Sequence, residues 1–201
     1  MTFAQKAKSI LVALFCFIVG FWFFFPWAAL GDYVMTKIQT KGAENGVYIS
    51  VMRSEQSGRW IPVFNFEGVE IQHEVGQLTI NSLSVRLLPL SSLLKRSITC
   101  SIETGAAQFK TFPQNESGWN SGSLLLSASS GKTEISDINL EGDLNVGGFL
   151  KFEGGGLRRA DFFLKVPPAL DGSIRMIAPM ISLESTTPGE WRMKKDAPAG
   201  N

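Results

Sequence analysis

Hydrophobic residues at the start of the chain form one unbroken run. No charged residue occurs from Ser9 to Gly31, and the run is rich in Phe, Leu, Ile and Val. As a helix this segment would be about 34 Å long, enough to cross a bilayer core of about 30 Å. The pattern predicts that residues 1–31 form a short cytoplasmic start and a transmembrane anchor.

The flanks of this run predict its orientation. Lys6 and Lys8 precede it, and the positive-inside rule places them in the cytoplasm. Trp22 and Trp27 lie in its outer half, where tryptophan favours the membrane interface. A cleaved signal peptide is the alternative, but its apolar region is usually only about 7–15 residues and ends in a small-x-small site. We therefore predict a single-pass bacterial inner-membrane protein with a cytoplasmic N-terminus and a periplasmic main domain.

A second pattern follows the apolar run. Leu30, Val34 and Ile38 recur every four residues, which predicts a short amphipathic helix over residues 32–45. Pro26 is expected either to kink the first helix or to begin a new one, because proline is tolerated in a first helical turn.

From Val47 onward the hydrophobic period becomes two, as in strands with one apolar and one polar face. Turn signals such as Gly147-Gly148 and Asp171-Gly172 separate the strands. The pattern predicts a mainly β domain over residues 46–193, an antiparallel meander forming an open groove, a roll or a sandwich. Residues 194–201 should be a flexible tail. Apart from a short turn over Pro89–Leu94, no further helix is expected, and no element of the second half is expected to cover the sheet.

Several apolar residues of the early strands are expected to share one face of the sheet. Such a face either packs against a second layer or remains open to an acyl chain or a protein partner. The candidate residues for this lipid or partner groove are Val69, Ile71, Leu78, Ile80, Leu83, Val85, Ile98 and Ile102.

Charge and composition narrow the range of functions. The chain of 201 residues has 19 Lys and Arg against 18 Asp and Glu, a formal net charge of +1. There is no basic excess to attract a phosphate backbone, so we predict no nucleic-acid partner. The base pairs Lys95-Arg96 and Arg158-Arg159 stand where strands begin, either as protection of strand edges or as contacts to anionic lipid.

Nothing in the sequence predicts catalysis. His73 is the one histidine, and a metal site needs several converging His, Cys or carboxylate ligands. No Gly-x-Ser-x-Gly elbow is present, and Gly154-Gly155-Gly156 lacks the Lys-Ser/Thr of a phosphate loop. We predict a protein that is not an enzyme and has no catalytic residues, metal or cofactor.

The order of motifs resembles a known family. An apolar helix ends in Phe25-Pro26, an amphipathic helix leads to Asn45-Gly46, and later segments read Phe66-Glu67-Gly68-Val69 and Leu88-Pro89-Leu90-Ser91-Ser92-Leu93-Leu94. This layout is similar to the type II secretion system protein N (GspN) family and, more loosely, to AsmA-like envelope proteins. Ser136-Asp137-Ile138-Asn139-Leu140-Glu141-Gly142 resembles a repeat of the same families.

The resemblance implies a non-enzymatic component of a bacterial type II secretion system or related envelope machinery, anchored in the inner membrane. Its partners would be other secretion-system or envelope proteins and membrane lipids. The alternative is a periplasmic lipid-binding or lipid-transport module whose apolar β groove holds acyl chains, as the AsmA-like resemblance implies.

Overall fold

Two helices occupy the start of the chain. The computed structural model describes residues 3–58, 60–74, 76–111 and 115–196. Helix α1 spans Phe3–Phe24 and α2 spans Trp27–Glu44. They are separated at Phe25-Pro26 because proline has no backbone N–H to donate and disfavours a helical conformation in the residue before it. Of the two outcomes expected at Pro26, a kink or a new helix, the structure shows a new helix, and α2 begins within residues 1–31, the predicted anchor segment.

Neither N-terminal helix is, by itself, long and apolar enough to cross a bilayer. Taken as a broken pair, Lys8–Phe24 and Trp27–Glu44 together meet the length and composition of a span, with a bend of 61° between them. This finding applies to the described residues.

Within the described residues, eleven strands and two further helices follow. The first six strands are β1 (Tyr48–Ser57), β2 (Val63–His73), β3 (Gly76–Leu87), β4 (Ile98–Thr104), β5 (Ala107–Thr111) and β6 (Asn115–Ser129). The others are β7 (Lys132–Gly142), β8 (Asn145–Glu153), β9 (Gly156–Lys165), β10 (Glu184–Thr187) and β11 (Glu190–Lys195). Helix α3 (Pro89–Lys95) joins β3 to β4, and α4 (Pro168–Ile177), followed by a 3₁₀ turn at Ala178–Ile181, joins β9 to β10.

All eleven strands belong to one antiparallel sheet. Their order is β1-β2-β3-β4-β6-β7-β8-β9-β11-β10, and β5 pairs with β3 and β6 beside the end of β4. The predicted mainly β antiparallel meander is confirmed, whereas a sandwich of two sheets is wrong. Among the described residues, β1 and β10 form the two edges.

Irregular positions interrupt the regular alternation of side chains in the sheet. Gly68 in β2 has a φ of 61°, Asp137 in β7 a φ of 52°, and Gly148 in β8 a φ of 120°. Side chains alternate between faces along a regular strand, so an interruption lets odd and even positions meet on one face. Phe66 and Val69 accordingly lie in one cluster on either side of Gly68. The turn expected at Gly147-Gly148 is wrong, since both residues lie within β8.

Helix α4 overturns two expectations. The sequence Asp171-Gly172 was expected to be a turn and the residues after it a strand, but both lie inside α4. Pro168 stands in the first turn of this helix. A backbone N–H at that position would have no intrahelical acceptor, so the absence of one in proline costs no hydrogen bond. The second half of the sheet is therefore covered by a helix. Helix α3 agrees with the short turn expected over Pro89–Leu94.

Two hydrophobic clusters hold the domain together. The near cluster consists of Phe64, Phe66, Val69, Ile80 and Ala107, with Trp27 and Met35 of α2 packed against it. The far cluster consists of Ala160, Val166, Leu170, Ala178, Leu183, Trp191 and Met193. The cross-strand partners Leu83, Thr104, Gly122, Leu140, Val146, Leu164 and Trp191 connect the two clusters along one row.

Candidate functional site

One end of the sheet, here called the rim, gathers loops from across the molecule. It consists of 60–62, 88–97, 129–132 and 153–159. Hydrogen bonds tie these segments together: Leu87 N donates to Pro62 O at 3.1 Å, Leu88 N to Thr99 O at 2.9 Å, and Gly154 N to Gly131 O at 2.9 Å. The rim is thus formed by successive strand connections at one end of the sheet.

Helix α1 meets the domain at the rim through an aromatic junction. The Trp22 indole Nε1 donates to the Trp60 carbonyl at 3.0 Å, and the Phe23 and Trp60 rings lie 4.5 Å apart, edge to face. Trp27 Nε1 donates to the Trp22 carbonyl at 3.0 Å, and the two indole rings are 4.6 Å apart. Such edge contacts between aromatic rings are favourable beyond the area they bury. The junction fixes the end of α1 to the β1–β2 connection.

Helix α2 lies over the near cluster at close range. A Cβ placed on Gly31 would come within 2.7 Å of two ring carbons of Phe64, so only glycine lets the helix approach this closely. At its other end, Gln39 Nε2 donates to the Ile49 carbonyl at 3.1 Å. The helix backbone and the sheet are thus held together at both ends of α2.

The predicted groove residues are only partly brought together. Val69 and Ile80 are 3 % and 7 % exposed and belong to the near cluster, against which Ile71, Leu78, Leu83 and Val85 pack. Ile102 is half-buried and lies beside Val85 on the next strand. Ile98 stands apart at the rim and is 69 % exposed. Whether this face binds a lipid or a partner stays a prediction.

A half-exposed apolar strip extends this face toward the far cluster. Cross-strand pairing puts Leu126 beside Ile135, and Ile135 beside Leu150. Directly opposed residues of an antiparallel pair point to the same face, and all three are half-buried. The strip begins at buried Cys100, which pairs with Leu126.

The four residues predicted at membrane interfaces have different surroundings. Lys8 is exposed in the first half of α1, and Lys6 belongs to the same helix. Trp22 and Trp27 make the aromatic junction described above, so they connect the helices to the domain. Their position at a membrane interface stays a prediction.

An aspartate organises the far cluster. Asp171 Oδ1 accepts hydrogen bonds from Trp191 Nε1 at 3.1 Å and Gly189 N at 3.2 Å, and Oδ2 accepts one from Arg175 at 3.1 Å. Burial acts to raise the pKa of the Asp171 carboxyl, but these three donors outweigh it and bring the pKa below its usual value. The carboxylate thereby connects α4 to β11 and to the turn before it.

The described side chains offer little for covalent or metal chemistry. Within residues whose placement is described, no three His, Cys, Asp or Glu side chains come together as a metal site would require. Burial raises the pKa of the Cys100 thiol, which keeps it in the unreactive protonated form. His73 lies at the end of β2, and Cys100 lies in β4.

Trp60 and the role of α3 were missed by the sequence analysis. Trp60 stands in a connection between Gly58 and Pro62, a context that predicts only a loop. Leu90, Leu93 and Leu94 have helical spacing, which predicts burial, yet all three are exposed at the rim. The sequence signal for this exposed surface is a leucine-rich helix of only 7 residues, which is too short to cover a sheet.

Comparison with known proteins gives one match over nearly the whole chain. A family model described as "Type II secretion system protein GspN-like, Synergistales" matches residues 4–195. No curated protein and no solved structure matches the chain. The resemblance to the type II secretion N family is thereby confirmed, while the looser one to AsmA-like proteins stays a prediction.

Proposed function

Since the chain belongs to the GspN-like family of type II secretion system proteins, we propose that it is a non-enzymatic, membrane-anchored component of that machinery. The observation that carries the proposal is the extent of the match, which includes both N-terminal helices and the sheet to its last strand. The family suggests membrane association and other secretion-system proteins as partners. In this proposal the chain acts by positioning surfaces that bind other components of the secretion machinery.

The exposure of α1 supports an anchor in the inner membrane. Ile10, Leu11, Val12, Phe15 and Phe17 are each more than half exposed, so the domain leaves this apolar surface uncovered. The two N-terminal helices meet the length and composition of a span only as a broken pair. Helix α1, with 22 residues, contributes about 33 Å of its length. Large exposed apolar surfaces in a native protein are usually covered by a membrane or a partner. We propose that α1 is embedded in the bilayer with its break at Pro26 near the outer surface.

The charge distribution supports a periplasmic domain. Lys8 precedes the apolar part of α1, whereas the first charged residue after it is Asp32 in α2. The positive-inside rule favours a cytoplasmic start for such a segment. A reporter that is active only in the periplasm should therefore be active when fused to the C-terminus. Activity of a cytoplasm-only reporter at the same position would contradict this topology.

The test of function is capture of the machinery by the full chain. The chain, tagged at its C-terminus, is crosslinked in cells of the source organism, extracted in detergent, and its partners are identified by mass spectrometry. We expect enrichment of other type II secretion components, together with retention of secreted proteins in the periplasm when the gene is deleted.

The matched control is an unrelated single-pass inner-membrane protein with the same tag and expression level. Equal recovery of secretion components from both proteins, with normal secretion in the deletion strain, would contradict the proposal. Restoration of secretion by the wild-type gene excludes an effect on neighbouring genes.

A second candidate function, lipid binding on the apolar face, is favoured by the half-exposed strip of Leu126, Ile135 and Leu150. Ile102 lies on the same face, two residues along β4 from Cys100, where the strip begins. A photoreactive benzophenone side chain at Ile102 should form adducts with lipid in cells if acyl chains occupy the face. Glu103, the next residue of β4, is exposed and points to the other face, so it is the control position. Adducts with protein alone at position 102 would favour a partner surface.

A further inference from the structure

Helix α3 displays its leucines outward. Leu90 and Leu93 are each 77 % exposed and Leu94 is 84 % exposed. These positions follow the i, i+3, i+4 spacing that places side chains on one helix face. In a small soluble domain such a face would normally be buried against the sheet.

The serine side of α3 is the side attached to the domain. Ser92 Oγ donates to the Leu88 carbonyl at 2.8 Å and accepts from Thr99 N at 2.9 Å. Arg96 ends the helix in the left-handed conformation with a φ of 50°. The short helix is therefore fixed with its polar side inward, and the outward position of the leucines follows from its attachment.

The apolar patch continues along the rim. Ile98 follows α3 and is 69 % exposed, and Trp60 on the neighbouring connection is 72 % exposed. Trp60 also contacts α1: its carbonyl accepts the hydrogen bond from Trp22, and its ring packs against Phe23. The exposed leucines thus stand at the same end of the sheet as the point where α1 reaches the domain.

Charge distinguishes the rim from the opposite end of the sheet. The rim segments carry Lys95, Arg96, Lys132, Arg158 and Arg159, against one acid, Glu153, which pairs with Lys132 at 2.9 Å. The opposite end carries the acids Glu44, Glu74, Glu116, Glu141, Asp143, Asp171 and Glu190 and fewer bases, Lys41, Lys110, Lys165 and Arg175. Three of these bases pair with acids at that end, Lys110 with Glu116, Lys165 with Glu190 and Arg175 with Asp171, so the end is acidic on balance. Clustered bases beside exposed apolar side chains complement an anionic lipid surface.

We propose that the rim docks on the outer surface of the bilayer that holds α1, with α3 and Trp60 inserted at headgroup depth and Lys95 and Arg96 on lipid phosphates. This rests on the proposed membrane anchor. Docking would hold the sheet with its strands rising from the membrane and its acidic end directed away from it. The surface recognised is an anionic phospholipid bilayer.

The experiment places an environment-sensitive fluorophore at single cysteines of the full chain in lipid nanodiscs. Native Cys16, exposed on α1, reports the anchor in a Cys100→Ala chain. Leu93→Cys in a Cys16→Ala/Cys100→Ala background reports the rim, and Glu74→Cys in that background reports the acidic end. Quenching by brominated lipid is compared with quenching by aqueous iodide, in phosphatidylcholine alone and in its mixture with phosphatidylglycerol. Far-UV circular dichroism checks that each variant keeps its β content.

We expect bromolipid to quench the labels at positions 16 and 93, and iodide to quench the label at position 74. Replacing Lys95 and Arg96 by Gln should weaken the docking equilibrium at position 93 by about tenfold or more in the anionic mixture, since each base near such a surface contributes a factor of about five. The label at position 16 should not change.

Three results would overturn the proposal. A label at position 93 open to iodide, beside a quenched label at 16, refutes docking while the anchor stands. A label at 93 shielded from both quenchers means that a protein surface, such as a second copy, covers the rim. A label at 16 that stays in water refutes the anchor and docking together.

Discussion

The near and far clusters are each covered by a helix, but the two helices contribute differently. Every buried residue of the near cluster belongs to the sheet, and α2 has no residue buried in its own right. In the far cluster, Leu170 of α4 and the residues Ala178 and Leu183 that follow are themselves buried. Helix α2 lies on a sheet face, whereas α4 is part of the core.

The two helices therefore have different roles: α2 attaches the domain to α1, and α4 contributes to the folded core. Because α2 is connected to α1 and rests on the sheet through contacts such as Gly31 against Phe64, it joins the domain to the N-terminal helix. Because α4 supplies core residues, the far part of the domain depends on it. We therefore expect changes in the far cluster to unfold β9, β11 and α4, and changes under α2 to release that helix with less damage to the sheet.

The largest effect is expected for Trp191→Ala. The side chain is 4 % exposed and its indole donates to Asp171, so truncation leaves a cavity and removes a hydrogen bond. Replacing a buried Trp by Ala costs about 3–5 kcal/mol. Urea unfolding of the full chain in detergent should show this loss, and hydrogen exchange should accelerate first in β9, β11 and α4.

Met176→Ala is the matched control, because Met176 lies on the exposed side of α4. Its effect should stay within about 0.5 kcal/mol. A comparable loss from both variants, or exchange that accelerates equally across the near cluster, would show that the two clusters unfold as one unit.

A smaller effect is expected for Gly31→Ala. Alanine usually stabilises a helix interior relative to glycine by about 1 kcal/mol. At Gly31 the added methyl group would collide with the Phe64 ring, and overpacking costs about 1–3 kcal/mol. We expect a net loss of about 1 kcal/mol, with faster hydrogen exchange in α2 and little change in β9 and β11.

Gly20→Ala is the control for this prediction, since nothing lies within 4 Å of a Cβ at that position. Both variants add a methyl group to a helix interior, Gly20 in α1 and Gly31 in α2, but only the methyl group at position 31 meets a side chain. If Gly31→Ala proved as favourable as Gly20→Ala, α2 would not be held closely against Phe64.

The two covering helices also show what periodicity can predict. The four-residue spacing of Leu30, Val34 and Ile38 predicted α2 but not the side by which it packs. These three side chains are exposed, and the helix instead packs Trp27 and Met35 against the near cluster. Helix α4 was missed because it contains Asp171-Gly172, a dipeptide typical of turns, and because Ile174 and Met176 alternate as in a strand. Its apolar residues pack against residues distant in sequence, such as Trp191. A local sequence pattern cannot predict such contacts.

The rim was less predictable than the sheet. Alternation predicts which residues of a strand share a face. The interruption of that alternation at Gly68 requires a positive φ that the sequence does not distinguish, since Gly131 and Gly154 adopt a similar φ in turns. The leucines of α3 point outward because Ser92 bonds to the sheet through Thr99, a contact that no spacing rule predicts. Local pattern therefore predicted the strands, while tertiary contacts decide which surface is presented.

The smallest effect concerns the charge on Asp171, through Asp171→Asn. Asparagine keeps an oxygen that can accept from Trp191 and Gly189, so the variant removes mainly the ion pair with Arg175. In the folded chain the pKa of Asp171 lies below its usual value of 3.8. The charged form is thus favoured by folding, so its contribution is complete above that value and is lost as pH falls through the lower folded pKa.

We therefore expect wild type to be more stable than Asp171→Asn near pH 6, by less than Trp191→Ala costs. The gap should narrow as pH falls below about 3.8 and should close once the pH lies below the lower folded pKa, where the protonated carboxyl resembles the amide. Glu190 and Glu153 also have lowered pKa values, held down chiefly by hydrogen bonds from Lys165 and Lys132, but they are present in both chains and cancel in the difference. Thermal unfolding of wild type and of Asp171→Asn across this pH range measures the difference in stability. A gap independent of pH would mean that Asp171 stabilises the far cluster through its shape and hydrogen bonds rather than its charge.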